Sequence, residues 1–280
     1  MNIALELIRE YIETEIRKNQ TFLFNELDLQ MFVGKALETK YGSEYNILFE
    51  YRLPKGWNND FDNDYSRWGE TPYFDIVMEH KEEKKYIGIE LKYKLKELKL
   101  NQDSPDSNFT RFGTCPPAGK TIELVSNQAA ENEGRYDFWK DVKRLELLKT
   151  HFEDYVLGGI AVFLTNQESY TRVTTEFKYS NFCFTQTKEG YLCWNYNNSK
   201  PKWCKLDCDC GKNGCVYTPC GEDIKKKYVD TVKNEFDQFE RPNFQLNKKY
   251  NGRWLNDPNC KKGFKGPLGQ NFFCYSVAID

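Results

Sequence analysis

The sequence predicts an α/β fold in which helices flank a mixed β-sheet. Two segments with helical periodicity come first, at residues 3–18 and 25–42. Two short apolar segments joined by a charged turn, residues 73–78 and 86–93, are typical of a β-hairpin. The nearly continuous apolar run YVLGGIAVFLTN, residues 155–166, is typical of a strand that is covered on both faces.

Local signals set the boundaries of these elements. Asn25 is a suitable N-cap for the second helix, and Gly42 is suitable for its end. A strand is expected at residues 46–53, and the composition of residues 56–72 indicates a loop. Residues 127–152 indicate one long helix or a helix pair. The predicted order is therefore helix, strand, hairpin, helix and buried strand.

The chain divides into two parts of different composition. Residues 1–170 form the predicted core, and residues 171–280 form a C-terminal elaboration rich in cysteine and aromatic residues. Within the elaboration we expect a hairpin at residues 181–196, a short helix at 222–239 and a closing strand near 271–280.

Composition limits the classes of function. The 280 residues carry 40 basic and 42 acidic side chains, so a nucleic-acid partner requires a local basic patch. No Walker-type loop or dinucleotide fingerprint is present, which argues against an NTPase or a dinucleotide enzyme. No signal-peptide pattern and no apolar run of ~20 residues is seen, so we expect a cytoplasmic protein without a membrane span. Its ten cysteines are then not expected to form a secreted disulfide framework.

Alternation along the hairpin assigns its charged residues to faces. In the first strand Asp75 is expected to share a face with Val77, with Phe74 on the opposite face. In the second strand Glu90 is expected to share a face with Lys92. An acid within an apolar strand needs a compensating partner, so these positions are the candidates for chemistry.

A hairpin centred in the charged turn brings Asp75 opposite Glu90, with Cβ atoms roughly 4.5–5.5 Å apart. Two carboxylates at that separation repel unless a cation lies between them. Mg²⁺ prefers oxygen ligands of this kind, completed by water and a substrate phosphate. Lys92, one pleat further on, is placed to hold a phosphate oxygen.

Asp75 followed by Glu90-Leu91-Lys92 on a second strand, with Pro72 upstream, resembles the active-site pattern of the PD-(D/E)XK nuclease superfamily. The resemblance covers about residues 26–166 and implies a restriction-endonuclease-like fold. It implies Asp75 and Glu90 as ligands of Mg²⁺ or Mn²⁺, and Lys92 as the catalytic lysine. It also implies DNA as the substrate, with RNA not excluded.

Glu26 lies at the edge of the apolar stripe of the second helix. In the superfamily that this chain resembles, a glutamate from the helix before the sheet often completes the metal site, which makes Glu26 the third candidate ligand. The alternative is a solvated acid in the first helical turn, where it favours the helix dipole.

Further residues are assigned to the substrate. The resemblance implies a glutamine or a nearby basic residue at the start of the third helical segment, which selects Gln128 for the site and Arg135 for nucleic-acid contact. Lys94 and Lys96 follow Lys92 on the same predicted face and are expected to contact the phosphate backbone. The alternative for both lysines is a solvated sheet edge.

Two further clusters have plainer interpretations. Asp137, Asp141 and Arg144 recur at helical spacing, and we expect them to form a surface ion-pair cluster. Five cysteines fall within residues 204–220, with spacings unlike those of a standard zinc site. They are either reduced free thiols or a structural zinc site, and for zinc the preferred ligands are Cys208, Cys210, Cys215 and Cys220.

The sequence thus favours an Mg²⁺-dependent DNA nuclease with a role in restriction, defence or repair. The alternative is a catalytically silent nucleic-acid- or protein-binding module of the same fold. A homodimer is compatible with either. Replacing Asp75 or Lys92 with alanine is expected to abolish cleavage without unfolding the chain.

Overall fold

The computed structural model describes residues 2–19, 21–53, 58–66, 73–100, 121–126, 131–171, 191–195, 200–204, 244–250, 252–255, 263–266 and 269–280. Its helices are α1 (Asn2–Lys18), α2 (Glu26–Tyr41), α3 (Asn59–Ser66) and α4 (Glu131–His151), with a 3₁₀ turn at Glu168–Thr171. Its strands are β1 (Tyr45–Arg52), β2 (Tyr73–His80), β3 (Tyr86–Lys94), β4 (Leu98–Leu100), β5 (Ile122–Val125), β6 (Val156–Thr165), β7 (Tyr191–Asn195), β8 (Lys200–Cys204), β9 (Phe244–Gln245), β10 (Arg253–Trp254), β11 (Phe264–Lys265) and β12 (Asn271–Ile279).

A mixed sheet with the order β1-β2-β3-β6-β12-β10 forms the centre of the molecule, and β11 also pairs with β12. β3 and β6 are parallel, whereas the other neighbours along this order are antiparallel. This confirms the predicted α/β class. The closing strand predicted near residues 271–280 is β12, and it lies beside β6 in the main sheet.

Helices cover both faces of the main sheet. α1 and α2 pack over a cluster that includes Ile76, Ile89 and Ile160. α4 packs over the opposite face, on a cluster that includes Val77 and Phe163, and the small β8-β7-β9 sheet lies against α4. No helix in the described ranges is long and apolar enough to cross a membrane.

α4 lies close to the sheet because two glycines face it. Gly88 of β3 and Gly159 of β6 are register partners in the parallel pair. A Cβ atom added at either position would lie 2.8 Å from Leu145 Cδ2. The glycines therefore let the leucines of α4 reach the middle of the sheet.

Gly159→Val is expected to lower the free energy of unfolding by about 1–3 kcal/mol, because the branched side chain overpacks against Leu145. Urea denaturation followed by circular dichroism measures the change. An unchanged midpoint would contradict the close helix–sheet contact.

The predictions for α2 are confirmed at both ends. Asn25 is the N-cap, with its Oδ1 accepting a hydrogen bond from Asp28 N at 2.8 Å, and Gly42 is the C-cap. The loop assignment of residues 56–72 is wrong in part, because α3 lies within it. Asn58 Oδ1 caps α3 by accepting from Phe61 N, and the Phe61 ring packs on Phe152. The buried Phe61 ring therefore anchors α3 to the core.

Several sequence predictions lie outside the described residues. These are the helix at 222–239, the first part of the hairpin at 181–196, Gln128 and the four preferred zinc ligands, Cys208, Cys210, Cys215 and Cys220. Within the described ranges, β7 pairs with β8, which follows it in the chain.

Candidate functional site

β3 continues beyond the point where β2 stops pairing with it. The last ladder pair is Ile76 with Ile89, and the same register continued by one residue places Asp75 opposite Glu90, as the sequence predicted. Beyond that point two carboxylates accept hydrogen bonds from backbone amides of β3. Leu91 N donates to Asp75 Oδ2 at 2.6 Å, and Tyr93 N donates to Glu26 Oε2 at 2.9 Å.

The predicted alternation of faces fails at Asp75. Phe74 and Val77 both belong to the core cluster on the α4 side, where Phe74 was expected on the opposite face. At this position the β1–β2 ladder is interrupted, and the Asp75 side chain crosses to β3 and accepts from Leu91 N, so it lies between the two strands.

Glu26 reaches the same place from the first turn of α2. Its Oε1 lies 3.2 Å from Lys92 Nζ, while its Oε2 accepts from Tyr93 N. The side chain remains 40% exposed, so Glu26 is both a first-turn acid and a direct neighbour of Lys92. The structure therefore brings together Glu26, Asp75 and Lys92, from three separate elements.

The other side of the site comes from α4, where the sequence interpretation was wrong. Asp141 and Arg144 were expected at the surface, yet they are only 3% and 6% exposed. Asp141 Oδ2 lies 3.5 Å from Lys92 Nζ, and Arg144 Nη1 lies 3.4 Å from Glu90 Oε1 and 3.1 Å from Asp141 Oδ1. The negative charge of Asp137 also acts on Lys92.

One signal in the sequence could have located Asp141 and Arg144 at the site. Glu90 and Lys92 were expected on a shared face, and that face is covered by a helix. Buried charges require partners of opposite charge, so the covering helix had to supply them. Asp141 and Arg144, on the polar stripe of α4, are these partners: Asp141 faces Lys92 and Arg144 faces Glu90.

Burial and mutual repulsion shift the carboxyl groups of the site. Burial raises the pKa of Asp75 to about 6, against the opposing effects of the Leu91 amide and Lys92. Burial also raises the pKa of Glu90 well above its usual range, with Arg144 opposing and Asp75 adding to the rise. For Asp141 burial acts in the same sense, but Lys92 and Arg144 outweigh it and lower its pKa.

Lys92 is held in its charged form. Burial acts to lower the pKa of Lys92, but the carboxylates of Asp141 and Glu26 outweigh burial and hold that pKa well above its usual range. Its ammonium is thus a fixed positive charge, only 18% exposed, at the end of β3. A fixed ammonium of this kind suits an anionic group such as a phosphate oxygen.

Within the described residues, the donor set fits a divalent cation in its chemistry. Four carboxyl groups (Glu26, Asp75, Glu90 and Asp141) face two basic groups (Lys92 and Arg144), which leaves an excess of two negative charges when all four are ionised. Glu90 Oε1 is buried and accepts no hydrogen bond from the described residues. Hard oxygen donors are those that Mg²⁺ prefers. No group of three His, Cys, Asp or Glu side chains in the described ranges is already gathered as a metal site.

The candidate substrate-contacting residues differ in burial and in their contacts. Lys94 is half-buried and lies against Gly134, where an added Cβ would be 3.2 Å from Lys94 Cγ. Lys96 is exposed, and its backbone N donates to Asn166 Oδ1 at 2.6 Å. Arg135 is engaged within the fold.

The contacts of Arg135 are internal. Its guanidinium contacts Glu131, donates to Ser169 O at 3.0 Å and lies 5.3 Å from the centre of the Tyr170 ring. These contacts tie α4 to the 3₁₀ turn. Arg135 is therefore engaged inside the fold. Lys94 and Lys96, which follow Lys92 in the chain, remain the candidates for phosphate contact.

Comparison with known proteins gave no match to a family model, to a curated protein or to a solved structure.

Proposed function

We propose that the chain is a divalent-metal-dependent nuclease that hydrolyses DNA phosphodiester bonds, built on a restriction-endonuclease-like fold. The observation that carries this proposal is the meeting of Asp75, Glu90, Lys92 and Glu26 along the second half of β3. The element order α2-β1-β2-β3-α4-β6, with β3 and β6 parallel, supports it. A cytoplasmic role in restriction, defence or repair is part of the proposal.

Each side chain has a role in this proposal. Asp75 and Glu90 would hold Mg²⁺ or Mn²⁺, with Glu26 as the third candidate ligand. An ion bound there would activate a water and offset charge on the scissile phosphate. Lys92 donates to a phosphate oxygen, and Asp141 and Glu26 keep it charged. Lys94 and Lys96 contact the neighbouring phosphates of the strand.

The test compares cleavage of plasmid, linear duplex and single-stranded DNA with and without Mg²⁺ or Mn²⁺. Wild type is expected to cleave only with metal, and Lys92→Ala is expected to lower the rate by about 100-fold or more, since it removes a fixed charge from the transition state. Lys40→Ala is the matched control, because Lys40 is exposed near the far end of α2. Equal activity of wild type and Lys92→Ala would refute the assignment.

The ion pairs of Lys92 change what is expected of the stability of Lys92→Ala. Removing the ammonium leaves Glu26 and Asp141 facing each other without it, so Lys92→Ala is expected to lose stability as well as activity. Lys92→Arg keeps the charge but changes its shape and donor geometry. A folded but inactive Lys92→Arg protein would separate chemistry from stability.

A specific observation keeps the binding module as the second candidate. Asp75 and Glu26 hydrogen-bond the amides of β3, and Arg144 contacts Glu90, so each carboxylate has a role in the fold itself. A catalytically silent module needs no metal at this place. Calorimetric titration with Mn²⁺ distinguishes the two candidates. A nuclease is expected to bind Mn²⁺ and to lose that binding in Asp75→Asn, whereas the silent module is expected to bind none.

A further inference from the structure

The ladder between β1 and β2 is interrupted at one position. Phe49 pairs with Ile76 and Tyr51 pairs with Phe74, while Glu50 and Asp75, which lie between them, form no ladder pair. Glu50 has a φ of 48°, in the left-handed region that a side chain of this size rarely adopts. A strained residue thus lies directly across from a site carboxylate.

A buried amide from α2 occupies the gap. Gln30 is 3% exposed, and its Nε2 donates to Asp75 O at 2.5 Å and to Glu50 Oε1 at 2.8 Å. One nitrogen therefore uses both of its hydrogens to bridge the two residues that the ladder skips. Because Gln30 lies in α2 and Asp75 in β2, this bridge fixes the position of the Asp75 backbone relative to α2.

We propose that Gln30 is a positioning residue for the Asp75 carboxylate. The left-handed turn at Glu50 opens the ladder, and the Gln30 amide takes the Asp75 carbonyl that a strand amide would otherwise bind. The Asp75 side chain is thereby aimed from β2 at Leu91 N of the neighbouring strand β3. The effect on cleavage rests on the proposed nuclease function, whereas the positioning itself does not.

This assigns a shared task to one face of α2. Glu26 and Gln30 lie one helical turn apart, so they project from the same side of the helix. Glu26 contacts Lys92 and Tyr93 N, while Gln30 contacts Asp75 O. α2 therefore sets the positions of the lysine and of one carboxylate together.

The test is amide hydrogen exchange by NMR on the full metal-free chain. Gln30→Met keeps the length of the side chain and removes its donors. The Leu91 amide is expected to exchange about tenfold faster in this variant, as its bond to Asp75 weakens. The Tyr93 amide, which Glu26 holds, is the internal control and is expected to be unchanged. Equal exchange of Leu91 in both proteins would overturn the proposal.

Glu50 provides a second pair of variants at an exposed position. Glu50→Gln keeps an acceptor for Gln30 and is expected to leave Leu91 exchange as in wild type. Glu50→Ala removes that acceptor and is expected to speed exchange about threefold. If Gln30→Met fails to fold, this pair decides the question, and identical exchange in both Glu50 variants refutes the positioning role.

Cleavage and Mn²⁺ binding are then measured on the same proteins. Gln30→Met is expected to lower kcat about tenfold with KM unchanged, because Asp75 is misplaced while the substrate-binding lysines are intact. Faster Leu91 exchange without cleavage or Mn²⁺ binding by wild type would leave the positioning role in place and refute the nuclease. Normal kcat together with fast Leu91 exchange would refute the link between position and catalysis.

Discussion

Asp75→Asn is expected to abolish metal-dependent cleavage and, at the same time, to stabilise the metal-free protein above pH 6. The loss of activity follows from the loss of a charged oxygen donor for the metal. The gain in stability follows because the buried Asp75 carboxyl has its pKa raised from 3.8 to about 6, so its ionised form opposes folding. Asparagine keeps an oxygen that accepts from Leu91 N.

The pH window follows from the sign of that shift. The folded protein holds the Asp75 proton more tightly than the unfolded chain, so the contribution of Asp75 to wild-type stability falls as pH rises from about 4 to about 6. The full cost, on the order of 3 kcal/mol for a change of about two pH units, is present above pH 6. Well below pH 4 the carboxyl is protonated in both states, and at pH 4 the advantage of asparagine is already small.

Urea denaturation at pH 4 and pH 8, without metal, measures this difference. The midpoint of Asp75→Asn is expected to exceed that of wild type at pH 8 and to lie close to it at pH 4. Glu38→Gln is the matched control, because it removes a carboxylate from the exposed face of the same α2 helix that carries Glu26. A destabilised Asp75→Asn at pH 8 would show that the carboxylate is satisfied by its neighbours, which is contrary to the proposed metal site.

Arg144→Met is expected to lower the free energy of unfolding by about 3–5 kcal/mol, the largest loss at any single position of the site. The guanidinium lies between Glu90 and Asp141 and also donates to Tyr73 O. Removing it leaves two buried carboxylates without that partner. Methionine fills much of the volume, so the loss reports charge more than packing.

A double-mutant cycle with Asp141→Asn checks the cause. If unpaired charge is the reason, Asp141→Asn is expected to recover part of the stability lost in Arg144→Met. Arg17→Met, in the exposed last turn of α1, controls for removing an arginine elsewhere. A loss below 1 kcal/mol for Arg144→Met would contradict the ion-pair interpretation.

Local sequence signals were sufficient for part of the site. The charged turn and the two apolar segments fix the β2–β3 register, which follows from a hairpin of two short strands. The cap at Asn25 locates the start of α2 and so the position of Glu26. These features depend on residues that are close together in the chain, where the pattern itself limits the alternatives.

The remaining features depend on residues far apart in sequence. The broken alternation at Asp75 accompanies an amide at Gln30, 45 residues earlier. The burial of Arg144 depends on contacts across the helix–sheet interface, and a polar stripe on a helix looks the same whether water or a charged strand faces it. Sequence patterning predicts which residues are polar, but tertiary packing decides which of them are buried.

The position of β12 has a consequence for folding. This strand pairs with β6 in the middle of the sheet, and its Ser276 bonds Glu13 of α1, 263 residues earlier. Contacts of such long sequence separation slow folding, since the chain between them loses entropy before the contacts form. During synthesis the β2–β3 hairpin can form early, but α1 and β6 keep part of their apolar surface exposed until residue 279 leaves the ribosome. We therefore expect nascent chains that stop short of β12 to be the species that chaperones bind.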